Sequence, residues 1–453
     1  MTVTSLTPPY PSDFTRERLS AYFENTWQLY EALFDTFDEA TLYEQPDALR
    51  HPLVFYAGHT AAFYVNKLVM AGLIEEGIDE KLDILFARGV DPHTSDELES
   101  PTPTRPDIQT VHDYRARAHA LVTNVIASIT RPPRVDAEHP LWALFMGLEH
   151  DRIHFETSSM LIRQLDASKV ERPQSWTIAP TDSPPPARTW RQIPKRTVTH
   201  GRNPRNDKGL YGWDNEFGEI TWEVDAFEAT AHLVSNADFL PFFLEGGYTD
   251  PEHWTEEGWR WRTENAVEKP LFWLLDDSPE HPRYRAMFEE IAMPWSWPVE
   301  VNAHEAQAFC NWVGDGVRLM TEAEHVSLTH NAPLVRGDVL EHEGYNLNLR
   351  FCSPTPVDHF APTEDGIHDA YGNVWQWLSD DFAPLPGFTP HPLYDDFSAP
   401  YFDELHATLR GGAWATTGTG ASRHYRLWFR RHFYQHAGVR RAREAKARVK
   451  KRG

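Results

Sequence analysis

Cysteine is nearly absent: Cys310 and Cys352 are the only thiols in 453 residues. A disulfide-stapled scaffold and an all-thiolate zinc ribbon are thereby excluded. Long apolar runs are missing as well. No stretch of 18 apolar residues occurs, so no transmembrane helix is expected. The segment from Met1 to Asp13 is rich in Pro, Thr and Ser and has no apolar core, so no secretory signal is read. Positive charge is in deficit, with 43 Lys and Arg against 67 Asp and Glu, a net −24. That balance argues against broad nucleic-acid binding, which needs a basic footprint. The expectation is a cytoplasmic protein with neither a nucleic-acid nor a membrane partner.

Histidine and tryptophan are plentiful, at 23 and 17. With so few thiols, any bound metal must be held by His. The length points to two or three domains, since one core rarely grows past about 250–300 residues. A hydrophobic fraction of 41% is enough to fold.

Two compositional halves follow. In the first, Leu19, Tyr22, Phe23, Trp27, Tyr30, Leu33 and Phe34 recur at three- and four-residue steps, an amphipathic helical face. Pro52 stands where a helix can start, ahead of an apolar run from Leu53 to Ile74. A third periodic stretch covers Val111 to Ile129, and a fourth runs from near Pro140 to Leu165. The spacing predicts a four-helix bundle over residues 1–168. Residues 169–200 are Pro-rich and weakly periodic, and read as an extended linker. Residues 201–441 carry short apolar runs, many Gly and Pro, and brief helical signals at Asn236–Leu244 and His304–Val313. They predict an irregular α+β domain without internal repeats. The stretch from Arg440 to Gly453 holds eight Lys or Arg and one Glu, a net +7. Residues 442–453 read as a solvated basic tail.

The fourth predicted helix bears His150-Asp151-Arg152-Ile153-His154-Phe155-Glu156. Histidines at i and i+4 share a face, so both imidazoles can reach one cation. Glu156 falls roughly 200° around the helix from His154, a poor third ligand and a better outer partner. His59, among Phe55, Tyr56, Phe63 and Tyr64, needs a polar partner if buried. Three neutral His with open positions suit Fe(II) and dioxygen chemistry, or zinc. The same residues also suit a core of satisfied histidines, and spacing alone does not decide. An HExxH protease motif is absent, because Asp151 follows His150.

The first half resembles the DinB-like four-helix bundle, whose metal motif is HxxxHxE plus an earlier His. In the second half, Arg318-Leu319-Met320-Thr321-Glu322-Ala323-Glu324, Gly372-Asn373-Val374-Trp375-Gln376-Trp377 and Arg410-Gly411-Gly412-Ala413-Trp414 resemble the formylglycine-generating-enzyme domain, a C-type-lectin-like fold. The fold class expected is therefore α plus α+β, a bundle followed by that domain. The fusion resembles the non-haem iron sulfoxide synthases that join a thiol to an imidazole. Within them, Arg50 to Tyr56, Gly58 to Phe63, Glu149 to Ser159, His391 to Phe397 and Phe429 to Gly438 look most like the ovothiol-pathway branch.

That resemblance implies an Fe(II) enzyme that uses O2, cysteine and histidine to make 5-histidylcysteine sulfoxide. It matches His59, His150 and His154 to the iron ligands and Tyr394 to the active-site tyrosine, a phenol able to give a proton. Arg430 matches a substrate carboxylate anchor. Tyr425, Arg426 and Trp414 fall among substrate contacts, and Arg426 would suit a single amino-acid carboxylate. Ile153 falls where the ergothioneine-pathway relatives have Gln. The alternatives are hercynine as acceptor, with cysteine, γ-glutamylcysteine or a selenosugar as donor, or a non-catalytic metal- and ligand-binding protein.

Three departures stand out. No Cys lies between Arg410 and Arg426, so formylglycine chemistry is not expected. No GxGxxG fingerprint for a methyltransferase is present, so a separate methyltransferase is expected downstream. Pro92-His93-Thr94-Ser95 replaces the family's usual acidic-Met-Ser-Trp run.

Overall fold

The computed structural model describes residues 4–89, 106–203, 209–275, 279–334, 340 and 343–445. Its first half holds α1 (Arg16–Phe34), α2 (Leu53–Met70), a short α3 (Glu80–Leu85), α4 (Ile108–Ser128) and α5 (Trp142–Arg163). The four long helices stand where hydrophobic periodicity places them. Their starts have local causes. Thr15 accepts from the Arg18 amide and Asp107 from the Thr110 amide, each satisfying an orphan N–H. Pro52 is the residue before α2, where its missing donor costs nothing. Helix α2 packs against α4 and α5, and α1 packs against the same two. Close approach is set by glycine: a Cβ on Gly147 would meet the Tyr64 ring at 2.3 Å, and one on Gly58 would meet the Phe86 ring at 2.3 Å. Among the described residues no helix is long and apolar enough to cross a membrane. Residues 92–95 lie outside the described residues.

The second half is irregular α+β. Strands β1 (Trp190–Ile193), β4 (Phe227–Thr230) and β12 (Ala442–Glu444) form one antiparallel sheet. Strands β2 (Arg196–Arg202) and β3 (Gly218–Val224) pair as a ribbon. A third sheet joins β5 (Trp273–Leu274), β6 (Arg283–Arg285) and β7 (Glu290–Ala292). The fourth has the order β10 (Leu427–Arg430), β9 (His406–Arg410), β8 (Trp375–Asp381), β11 (Ala437–Gly438). Helices α6 (Asn236–Leu244), α7 (Glu256–Glu264), α8 (Ala303–Val313) and α9 (Glu322–Leu328) cover these sheets. Cys310 is a buried core residue of α8, as its sequence context suggests.

Two boundaries differ from expectation. Strands β1 and β2 begin inside the segment read as a linker. The remainder of that segment is bound to both halves: Glu171 N donates to the Thr36 carbonyl at 2.7 Å, Trp176 lies near Phe155 and Phe288, and the Pro180 carbonyl accepts from Trp297 Nε1 at 2.8 Å. Proline density masked these apolar anchors. The segment read as a basic tail starts as β12, where Arg443 Nε donates to Glu228 at 2.8 Å. Residues 446–453 lie outside the described residues.

One hydrophobic cluster runs from Phe14 to Val439, so the two halves share a core. Polar ties from α5 join them further. Glu149 accepts from Tyr22 Oη at 2.7 Å and from Thr419 N and Oγ1 at 2.6 and 2.9 Å. Glu156 accepts from Trp375 Nε1 at 2.6 Å and Thr416 Oγ1 at 2.9 Å. Ser159 Oγ meets His436 Nε2 at 2.9 Å. At the end of the helix, Arg163 places Nη1 2.7 Å from both Glu300 oxygens and stacks 3.6 Å over Phe272.

The pair Arg163–Glu300 is fully buried, and Tyr284 also donates to Glu300. Removing one partner strands a charge. Arg163→Met is therefore expected to cost about 3–5 kcal/mol, read as a lower urea midpoint. Burial alone would raise the Glu300 pKa, but Arg163, His436 and Tyr284 override it and hold the carboxyl down at about 2. A depressed acid stabilises the fold above its unfolded pKa of about 4.3. That contribution drains as pH falls through the window from about 4 to 2, and urea midpoints across it should drop.

Candidate metal centre

His59 on α2 and His150 and His154 on α5 converge, and each offers a nitrogen within 4.8 Å of the others. His59 Nδ1 lies 2.6 Å from the Phe86 carbonyl, an acceptor, so that nitrogen carries the hydrogen and Nε2 is left with a lone pair. The absent side chain of Gly58 lets Phe86 come close enough to do this. His59 Nε2 faces His154 Nε2 at 3.1 Å. The His150 ring stacks on Phe63 with centroids 3.5 Å apart and planes 6° apart, which fixes its direction.

All three rings are buried. Burial pushes the His59 pKa down to about 4. It also drives His150 and His154 well below the usual range, helped by the neighbouring rings. The three are therefore neutral at pH 7, the form that ligates metal. Both nitrogens of His150 and Nδ1 of His154 lack any hydrogen-bond partner. Buried polar atoms left in that state cost about 1–3 kcal/mol each. A cation bound to one lone-pair nitrogen of each ring would recover part of that cost, so the residues present fit a metal. A donor set of three neutral imidazoles without a carboxylate suits either Fe(II) or zinc.

His150 and His154 border a cavity of about 130 Å³ between the bundle and the second half, whose wall also includes Tyr394, Tyr425, Ile153 and Arg50. Tyr394 sits in the loop from His391 to Phe397, its ring centroid 6.3 Å from His150 and 5.2 Å from Phe63. The loop is tied to the bundle where His391 Nε2 meets the Ala137 carbonyl at 2.8 Å. Burial first, then Tyr401, Asp396 and Asp214, push the Tyr394 pKa up, so the phenol keeps its proton at neutral pH.

The other sequence-derived candidates are placed differently. Arg426 is spent on Glu322, with Nε and Nη2 at 2.8 and 2.9 Å from its carboxylate, and does not border the cavity. Trp414 is buried against His436, ring centroids 4.7 Å apart, outside the cavity wall. Arg430 is buried at the end of β10, behind Phe429, which does border the cavity. Glu156 is not an outer partner of the histidines. It points away to Trp375 and Thr416, as the 200° offset implies, and burial lifts its pKa to about 7.

Several wall residues escaped the sequence reading. Thr157 and Gln164 share the face of His150 and His154 at i+7 and i+14 from His150, and that period could have found them. Arg50 stacks 4.0 Å over Phe433 and 5.5 Å from Phe429, a contact across the chain that no local pattern reveals. The formylglycine-type motifs are architectural. Thr321 and Glu324 form the capping box that starts α9, and Gly411 and Gly412, at φ 104° and 82°, turn the chain after β9.

The fold corresponds to two known domain types in series. Residues 22–158 match the DinB superfamily, and residues 336–445 match the sulfatase-modifying factor enzyme 1-like domain. The chain is thus a DinB-type helical domain followed by a formylglycine-generating-enzyme-like domain. The same order is reflected in whole-length similarity. A hercynine oxygenase of Mycolicibacterium thermoresistibile is 26% identical over 97% of this chain and 96% of its own length. The ergothioneine biosynthesis protein 1 of Neurospora crassa is 25% identical over 95% of this chain and 58% of its own. The formylglycine-generating enzyme of Mus musculus is 29% identical over 35% of this chain and 49% of its own.

Proposed function

We propose that the protein is an Fe(II)- and O2-dependent sulfoxide synthase that bonds the sulfur of cysteine to an imidazole carbon of histidine. The observation that carries the reading is the cluster of three neutral histidines, two of which, His150 and His154, share a cavity wall with a protonated Tyr394. Similarity to a hercynine oxygenase along nearly the whole chain supports the reaction class. The reaction balances: a thiol S–H, a ring C–H and O2 give the sulfoxide and one water, a four-electron oxidation matched by four-electron reduction of dioxygen.

His59, His150 and His154 would hold the iron, which supplies dioxygen activation and thiolate formation when bound. Phe86 and Phe63 set the orientation of His59 and His150 from outside that shell. Tyr394 holds its proton beside the reacting groups and delivers it during oxygen reduction. Tyr425 borders the substrate space; Arg430 lies outside that wall, next to the cavity-lining Phe429, and its assignment to a substrate carboxylate rests on the family resemblance alone. The aromatic wall of Phe429, Phe433, Trp428 and Tyr401 excludes water from the reacting sulfur.

The names of the relatives favour a second acceptor, hercynine. Ile153 in the cavity wall, without hydrogen-bonding capacity, favours histidine in the ovothiol-type reaction. Mass analysis of the products from iron-loaded protein, air, cysteine and an equimolar mixture of histidine and hercynine decides between them. The expected main product is the histidine-derived sulfoxide, with a mass equal to both substrates plus one oxygen less two hydrogens. A dominant hercynine adduct would reverse the acceptor assignment.

A further inference from the structure

We propose that Lys67 is a positioning residue for Tyr394: its ammonium clamps the phenol ring beside the histidine cavity and biases it toward giving a proton rather than an electron. The inference rests on the sulfoxide synthase reading above. Phe63 and Lys67 follow His59 at one and two turns along α2, so one helix carries a ligand, the ring that orients His150, and this cation. Lys67 Nζ lies 4.2 Å from the Tyr394 ring centroid and 5.1 Å from that of Phe63. It also donates to the carbonyl of Leu393, the residue just before Tyr394, at 2.5 Å, and its other neighbour is Met70 Sδ at 4.0 Å. The ammonium therefore grips the backbone and the ring of the same loop together.

A cation over an aromatic face is attracted by the ring quadrupole, and more strongly where water is excluded. The same charge stabilises a phenolate and opposes loss of an electron from the ring. Lys67 is partly buried, and burial pushes its pKa down to about 8, while Asp396 and Asp395 on the Tyr394 loop work to keep it charged. The loop thus brings both the ring that Lys67 holds and the acids that sustain its charge. No residue of the sequence motifs signalled this, because Lys67 reads as the polar end of an apolar helix.

The test uses full-length protein in wild-type, K67M, K67R and Y394F forms. Iron-loaded samples receive cysteine, histidine and air, and sulfoxide and cysteine sulfinate are quantified. Metal-free samples carrying 3-fluorotyrosine are compared by 19F NMR, with the residue 394 signal identified by its loss in Y394F. K67M is expected to bind iron as wild type does, to shift the 394 signal, and to raise the sulfinate-to-sulfoxide ratio about fivefold to tenfold. K67R keeps a charge over the ring and is expected to restore both readouts toward wild type. An unmoved 394 signal in K67M, or an unchanged product ratio, overturns the proposal. If wild-type protein forms no C–S product with either acceptor, the reaction reading fails. The 19F shift then still judges the clamp by itself, an unmoved signal overturning it and a shifted one supporting it.

Discussion

His154→Ala protein is expected to lose its iron and, with it, all C–S bond formation. Two α5 histidines and one from α2 make the proposed donor set, and among the described residues no carboxylate joins that cluster to take over a lost position. Losing an outer partner of a ligand already costs about 10–100-fold in metal affinity, so losing the ligand itself costs more. With the ion gone, several kcal/mol of stabilisation of the reacting oxygens goes as well, about a thousandfold or more in rate. Iron per chain after equilibrium dialysis and oxygen uptake with cysteine and histidine read the two effects. The metal-free fold should also lose some stability, because a buried ring is replaced by a cavity and His59 Nε2 loses its partner at 3.1 Å. A His154→Ala protein that retains stoichiometric iron at wild-type affinity would sink the assignment. The same measurement on His59→Ala and His150→Ala asks whether the three act as one unit, in which case their losses are far from additive.

The second large effect is expected at Tyr394→Phe. The ring, its tilted contacts with Phe63 and Phe397 and its place under Lys67 all survive, and only the hydroxyl is removed. General acids contribute about 10²–10⁴-fold, so sulfoxide formation should fall by roughly a hundredfold. Cysteine and O2 should still be consumed, because the thiol and the oxygen need no phenol to combine. The expected product is then cysteine sulfinate, in which both oxygen atoms of O2 reside on sulfur. Supplying 18O2 and counting the label in the sulfinate separates this from peroxide release. A variant that makes sulfoxide at the wild-type rate, with no added sulfinate, would remove Tyr394 from the proton path.

Much of the bundle is legible in the sequence because its signal is local. Apolar residues at three- and four-residue steps place the four long helices, and an i, i+4 pair of histidines must share a face. His59 was visible for a related reason: a polar ring in an apolar stretch needs a partner. That partner, the Phe86 carbonyl, comes from the segment just after α3 and depends on a glycine that lets it approach. Chain-distant partnerships explain what was not legible. Arg426 looked available for a carboxylate because Glu322 lies 104 residues away. The role of Arg50 in the cavity wall had no local signal, because the phenylalanines it covers are near the other end of the chain. The β1 and β2 strands were hidden by prolines that precede them, since proline density outweighs a short alternating pattern.

Helix α5 carries a consequence for how the chain can be cut and recombined. The face opposite its histidines presents Glu149, Glu156, Ser159 and Arg163 to partners more than 100 residues away. A break anywhere in residues 171–189 would look harmless on a map of domains. It would leave the released bundle with two carboxyls, a hydroxyl and a guanidinium stripped of most of their partners. The halves are two units of ancestry but one unit of stability, and a transplanted second half succeeds only if it brings its own Trp375, Thr416, Thr419, Glu300 and His436 equivalents. Shuffling catalytic bundles among foreign lectin-like partners is thereby restricted to sets that already share this polar seam.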